Sequence, residues 1–158
     1  MNKQKNKTII EIIILALIDQ IIKLAIFANK EFLPIQVINN ILKINYVENF
    51  GVAFGLAKGD RIIFIIINVI IIGIIMKFLF TQTEGLSKTK KISFIIISSG
   101  GIGNLIDRIF RGYVIDYIDF SQMINFPVFN LADIMIVVGT IYIAFIILFD
   151  LIKENKKM

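Results

Sequence analysis

The stretch IIFIIINVIIIGIIMKFLF, Ile62–Phe80, holds nineteen residues and a single charge, Lys77. A helix rises about 1.5 Å per residue, so roughly 20 predominantly apolar residues cross the ~30 Å of bilayer hydrocarbon. The stretch therefore reads as a membrane-spanning helix. Three more blocks of similar length accompany it: Thr8–Ala28, Ile92–Phe110 and Phe129–Ile152. The chain is 57% hydrophobic, against about 45–50% for an ordinary soluble domain, and its mean hydropathy is +0.83. The expected fold is mostly α, a single polytopic membrane domain over residues 1–158 with four transmembrane helices at about 8–28, 62–80, 92–110 and 129–152. The first block carries Asp19 and Lys23 and lacks a small-residue cleavage site, so it is expected to remain as a helix and not to leave as a signal peptide.

Lys and Arg set the orientation. Lys3, Lys5, Lys7, Lys77, Lys88, Lys90, Lys91, Lys153, Lys156 and Lys157 fall on one side of the four blocks, ten in all. Lys30, Lys43, Lys58, Arg61, Arg108 and Arg111 make six on the other, with Lys23 inside a block. Both termini are thus expected in the cytoplasm, with residues 29–61 and 111–128 outside. The net charge of +5 lies at block ends and not in an aromatic-laced stripe, so it reads as a topology signal and not a nucleic-acid surface. Outside the membrane, Leu42, Ile44 and Tyr46 alternate with Lys43, Asn45 and Val47, and Ile35–Ile38 follows Pro34. Period two points to a small extracytoplasmic β-sheet after the first helix, held at or above the interface because open sheet edges cannot face hydrocarbon. Ala53–Ala57 reads as a short interfacial turn of helix.

The chain has no Cys and no His. That removes thiol chemistry, Ser-His-Asp catalysis and imidazole ligands, leaving Asp, Glu, Lys and Tyr for acid–base work. Charges at membrane depth cost about 2.5–3.5 kcal/mol each on insertion scales and usually face partners in the bundle interior. Asp19 and Lys23, four apart, share a helix face and can pair, either as a self-neutralising structural couple or as a support for a site. Gly100, Gly101 and Gly103 lead to Asn104, Asp107 and Arg108, which reads either as a packing motif ending in a salt bridge or as part of a site. Asp116 lies among Val, Ile and Tyr. Asp133 opens an apolar block, where a helix N-terminus would favour its charge by about 0.3–1 kcal/mol. Antiparallel helices bring Asp107, Asp116, Asp119 and Asp133 to one membrane level. Two carboxylates that meet there share a proton, which is the arrangement for aspartic proteolysis. A proton-conducting transporter and a structural scaffold remain as alternatives. Against transport, the charges gather at one level instead of forming a relay, and blocks two and four are uninterrupted.

Five blocks in order, Asp19-Gln20-x-x-Lys23, Asn49-Phe50-Gly51-Val52-Ala53-Phe54, Gly100-Gly101-Ile102-Gly103-Asn104-Leu105-Ile106-Asp107-Arg108, Val114-Ile115-Asp116-Tyr117 and Phe129-Asn130-Leu131-Ala132-Asp133, resemble the lipoprotein signal peptidases, signal peptidase II. The resemblance covers nearly the whole chain. It implies a membrane-embedded aspartic endopeptidase of the bacterial inner membrane that cuts prolipoproteins just before a diacylglyceryl-modified Cys. It also implies a site near the extracytoplasmic face, membrane lipids as surroundings, no metal or other cofactor, no nucleic acid, and action as a monomer. By the same resemblance Asp116 and Asp133 are the catalytic pair. Asp19, Lys23, Asn49, Gly51, Phe54, Asn104, Asp107, Arg108 and Asn130 bind substrate or support the pair, and Gly51–Leu56 covers the site. Asp107 competes for the first catalytic role, but the adjacent Arg108 is expected to hold it ionised. Ile115 and Tyr117 depart mildly from the family pattern, keeping bulk and apolarity, and Asp119 has no catalytic counterpart. The presenilin-like Gly-x-Gly-Asp block is absent, because Asn104 follows Gly103.

Overall fold

The computed structural model describes residues 3–51, 61–81 and 86–155. Four long helices carry most of them: α1 (Lys3–Ala28), α2 (Arg61–Thr81), α3 (Lys88–Phe110) and α4 (Leu131–Asn155). Strands β1 (Ile35–Ile38), β2 (Leu42–Asn49) and β3 (Val114–Asp119) form one antiparallel sheet in the order β1-β2-β3. The stretch Ala53–Ala57 and the site candidate Phe54 lie outside the described residues.

By length and composition, α2, α3 and α4 can each cross a membrane. Ile62, Ile66, Ile70 and Ile74 on α2 are 52–65% exposed, an apolar display that belongs against lipid and not against water. Helix α1 has 26 residues, but Glu11, Asp19 and Lys23 interrupt its apolar sequence. Of the four spans expected, three therefore stand out on these grounds and α1 does not. Its Asp19 and Lys23 are buried all the same, on a face turned away from Ile10, Leu17 and Ile21.

Helix α3 is the hub, packing on α1, α2 and α4. Its buried residues explain why: Ser93, Ser98, Ser99, Gly100, Gly101 and Gly103 are small, and Asn104 and Asp107 are polar. Hydrophobicity does not drive helices together in lipid, so close backbone approach and polar contacts must do it. A Cβ on Gly100 would strike the carbonyl oxygen of Ala132 and come within 3.1 Å of the Met135 Cβ. One on Gly103 would strike the carboxylate of Asp19. The glycines thus pack helices, as expected, and Gly103 also makes room for a charged group. The apolar core, Ile12, Leu79 and Ile95, is separate from this polar end.

The sheet holds the sequence-expected strands, and a third strand that the sequence reading did not assign. Residues Val114–Asp119 are buried apart from Ile118, which is partly so. A strand covered on both faces shows no period-two alternation, which is why it escaped notice. Register pairs Val47 with Asp116 and Asn49 with Val114. On its other side, β3 bridges to Phe129, whose carbonyl accepts from the backbone N–H groups of Tyr117 (3.0 Å) and Ile118 (2.8 Å). That bridge delivers the chain to the start of α4 beside Asp116.

Asp119 ends β3 away from the acids of α3 and α4. Lys43 (3.3 Å), the Asn45 amide (2.9 Å) and the Ser121 N–H (2.8 Å) all reach its carboxylate. Burial opposes its charge, but the bonds from Ser121, Asn45 and Lys43 outweigh it and hold the carboxyl down at about 2. Asp119 is accordingly a fastener of the sheet.

Gly100→Val should lower stability by about 1–3 kcal/mol, since the added side chain meets α4 backbone. Gly73→Ala, where a Cβ finds open space, should leave stability unchanged or raised by up to about 1 kcal/mol. Equilibrium unfolding in detergent micelles measures both.

Candidate active site

The start of α4 organises the site. The first N–H groups of a helix lack partners within it, and here each one finds an acceptor. Leu131 N–H donates to the Tyr117 hydroxyl (3.2 Å), Ala132 N–H to Asp19 Oδ1 (3.1 Å), Asp133 N–H to Asn130 Oδ1 (3.0 Å) and Ile134 N–H to the Asn130 carbonyl (3.2 Å). Asp133 Oδ2 accepts in return from the Asn130 N–H (3.2 Å). Asn130 and Asp133 thus form a reciprocal capping box. The helix-terminus reading of Asp133 is correct as geometry, and it leaves the other oxygen, Oδ1, for Asn104 Nδ2 (2.8 Å).

Behind this cap lies Lys23, whose side chain is fully buried. An ammonium has three donors, and all three are used: Asp19 Oδ2 (2.9 Å), Asp107 Oδ2 (3.1 Å) and Asn104 Oδ1 (2.9 Å). Asp107 also accepts from the Ile115 N–H (3.1 Å), from Gln20 Nε2 (3.2 Å) and from Arg111 Nη1. Gln20 Nε2 reaches the Gly103 carbonyl (3.0 Å), and Gln20 Oε1 accepts from Arg111 (3.1 Å). Two carboxylates and two cations are therefore locked between α1 and α3, neutral in sum.

Asp116 stands in front of this cluster on β3. Asn130 Nδ2 donates to its Oδ1 (2.6 Å) and Asn49 Nδ2 to its Oδ2 (2.8 Å). Asn130 is the shared bridge: its side chain bonds Asp116 and Asn104 Oδ1 (3.2 Å), while its backbone bonds Asp133. Burial pushes the Asp116 carboxyl up to about 6, and the charge of Asp133 adds to the rise. The bonds from Asn49 and Asn130 and the charge of Lys23 pull the other way. The Arg108 guanidinium interacts electrostatically with Asp133, Asp116 and Asp107 and sits 5.6 Å over the Phe64 ring. A cleft of about 330 Å³ opens beside Asp116, with Val47, Phe50, Pro127 and Val128 among its walls. One of the two acids, Asp116, inclined to keep its proton, thus faces this cleft, which Glu48 and Asn49 also line. Among the described residues no three acidic side chains group as a metal ion would require.

Most of the sequence candidates meet here: Asp19, Lys23, Asn49, Asn104, Asp107, Arg108, Asp116, Asn130 and Asp133. Gly51 joins them at φ +81°, a conformation suited to glycine, with its N–H on Asn49 Oδ1 (2.8 Å). One pairing differs from expectation. The cations on Asp107 are Lys23 and Arg111, while Arg108 donates to the Asn104 carbonyl (3.4 Å). The reason is helical: Arg111, four residues on, shares the face of Asp107, and the adjacent Arg108 does not. Gln20, Arg111 and Tyr117 were missed as site residues. The i, i+4 spacing from Asp107 was the available signal for Arg111, whereas Gln20 and Tyr117 show no comparable one.

Lys23→Met should cost about 3–5 kcal/mol, because it strands Asp19 and Asp107 in a buried site. The triple replacement Asp19→Asn, Lys23→Met, Asp107→Asn should recover much of that loss. Denaturation in micelles distinguishes the two.

The chain matches the family model for signal peptidase (SPase) II over residues 11–149. Among curated relatives, the lipoprotein signal peptidase of Clostridioides difficile (strain 630) is 38% identical over 142 residues, covering 89% of this chain and 94% of that protein. That of Caldicellulosiruptor bescii is 43% identical over 115 residues, covering 73% of each. Among solved structures, a bacterial membrane enzyme determined in meso at 1.9 Å superposes with a TM-score of 0.82 at 28% identity, covering 90% of this chain and 93% of that one. Another, at 2.3 Å, gives 0.80 at 29% identity, covering 92% and 89%. With a family model spanning most of its length, relatives of this identity over 73–89% of the chain, and a shared fold, the chain belongs to the signal peptidase II family, the lipoprotein signal peptidases.

Proposed function

We propose that the chain is an aspartic endopeptidase that removes the signal peptide from prolipoproteins, cutting just before the diacylglyceryl-modified Cys, with Asp116 and Asp133 as its catalytic pair. The observation that carries this reading is the bridge of Asn130 between the two carboxylates, Nδ2 on Asp116 at 2.6 Å and backbone N–H on Asp133 at 3.2 Å. Asp116, the acid pushed up by burial, holds the shared proton. Asp133 takes a proton from water as its oxygen attacks the scissile carbonyl, and Asp116 gives its proton to the carbonyl oxygen. The tetrahedral diol collapses as Asp133 passes its proton to the leaving amide nitrogen and Asp116 regains one from the hydroxyl. The C–N bond breaks, and the pair is reset. Arg108 offsets negative charge as it develops, and the cleft beside Asp116 receives the substrate.

The reading includes four spans, with α1 as the fourth. Its charged groups turn inward while Ile10, Ile13, Leu17, Ile21 and Leu24 are 50–63% exposed, so lipid meets an apolar face. With an even number of spans and Lys concentrated at the helix ends opposite the sheet, both termini lie in the cytoplasm and the site near the outer face of the inner membrane. The domain works as a monomer around its own four helices.

Purified in detergent and given a prolipoprotein with and without the diacylglyceryl group, the wild type should cut only the lipidated form. Asp116→Asn and Asp133→Asn should each lose about a thousandfold in rate while remaining folded. Full cleavage by Asp116→Asn would remove it from the pair. The profile of kcat/KM should carry an alkaline limb where Asp116 loses the shared proton, at about 6 in the free enzyme. Asn49 favours the ionised form, so Asn49→Ala should move that limb to higher pH.

A further inference from the structure

Arg111 is a residue the reaction does not touch. Its guanidinium contacts Asp107 Oδ1 and Gln20 Oε1, and the side chain is 19% exposed while that of Asp107 is fully buried. Its own backbone N–H continues the helix onto the Asp107 carbonyl (2.8 Å), so Arg111 also ends α3. The charges near it divide into two groups. Asp19 and Lys23 from α1, with Asp107 and Arg111, form the rear cluster. Asp116 on β3 and Asp133 on α4 form the front one, and Arg108 on α3 interacts electrostatically with both of them and with Asp107. Arg61 from α2 lies on the Arg108 and Ile109 carbonyls (2.6 and 2.7 Å), Tyr117 on β3 holds the Leu131 N–H, and Glu48 on β2 is bonded to Tyr46 (2.8 Å). With Arg111 present the rear cluster sums to zero. Without it, one negative charge remains buried behind the acid pair, where screening by solvent is weak.

We propose that Arg111 is a positioning residue for the reaction: by neutralising Asp107 it keeps the rear cluster at zero charge and so fixes the pH at which the front carboxylates exchange their proton. The geometry that carries this is the contact of Arg111 with Asp107 Oδ1, the same carboxylate whose Oδ2 lies on Lys23, from which the chain of bonds runs through Asn104 to Asp133. A neutral rear cluster also leaves Lys23 free to hold Asn104 at 2.9 Å, and Asn104 in turn holds Asp133 at 2.8 Å. The proposal rests on the reading of Asp116 and Asp133 as the working pair.

The test is the titration of Asp116, followed by carboxyl NMR of the full chain in micelles, alongside the pH profile of cleavage of a diacylglyceryl-modified prolipoprotein. In Arg111→Gln the added net negative charge should raise the Asp116 titration by about one pH unit, with the alkaline limb of kcat/KM following it. Arg111→Lys, which keeps the charge, should leave the titration close to wild type. Asp107→Asn combined with Arg111→Gln removes both charges, and should return the titration toward wild type although the contact is gone. An Asp116 titration unmoved in Arg111→Gln overturns the proposal, as does a shift that persists undiminished in the double variant. Should Arg111→Gln fail to fold, the double variant and Arg111→Lys decide alone: either one displaced by as much as a full unit overturns it. Because the titration is read without turnover, a wild type that cleaves nothing would overturn the peptidase reading while leaving this one standing or falling on the NMR.

Discussion

The ammonium of Lys23 is buried, and its three donors are divided among Asp19, Asp107 and Asn104. Much of the site depends on that one fixture. Taking two carboxylates out of water costs several kcal/mol each, and only well-placed cations and hydrogen bonds repay it. Once repaid, each group is tied to a different element. Asp19 reaches the N-terminus of α4 through Ala132, Asp107 holds the first residues of β3 through Ile115, and Asn104 holds Asp133. The site is therefore positioned by polar contacts at the one end of the bundle where hydrophobic packing cannot fix geometry.

In the proposed reading the same groups serve structure and chemistry. Asp133 caps the helix it belongs to, and Asn130 is both the cap of that helix and the bridge between the acids. If Asp116 and Asp133 are the working pair, as proposed, they are preorganised: both are already held by groups that fold the chain. Gly103 shows the constraint from the other side, since any side chain there would displace Asp19.

Much of this was legible in the sequence. Long unbroken apolar blocks mark helices because a run of that length crosses hydrocarbon with its backbone hydrogen bonds satisfied within itself, and the helices α2, α3 and α4 follow them closely. Charges within those blocks were expected to find partners because they are too costly to keep without them, and Asp19, Lys23, Asp107 and Asp133 all do. The residues from Asp19 to Asp133 gathered as their spacing and resemblance suggested. Strand β3 was not legible, since burial on both faces erases alternation. The partner of Asp107 was assigned to Arg108 by adjacency, whereas a helix places Arg111 on the shared face. Gln20 and Tyr117 act through long-range bonds to α3 and α4 that no local pattern announces.

The central claim is that a pair of carboxylates activates water directly, with no covalent intermediate. A single turnover on a diacylglyceryl-modified prolipoprotein in ¹⁸O-enriched water, followed by mass spectrometry of both product and enzyme, tests it most directly. The account predicts one heavy oxygen in the new carboxylate of the released signal peptide and none in Asp116 or Asp133. Heavy oxygen in either aspartate, with an unlabelled product, would mean that the enzyme's own carboxylate attacked the peptide, and the account would be wrong.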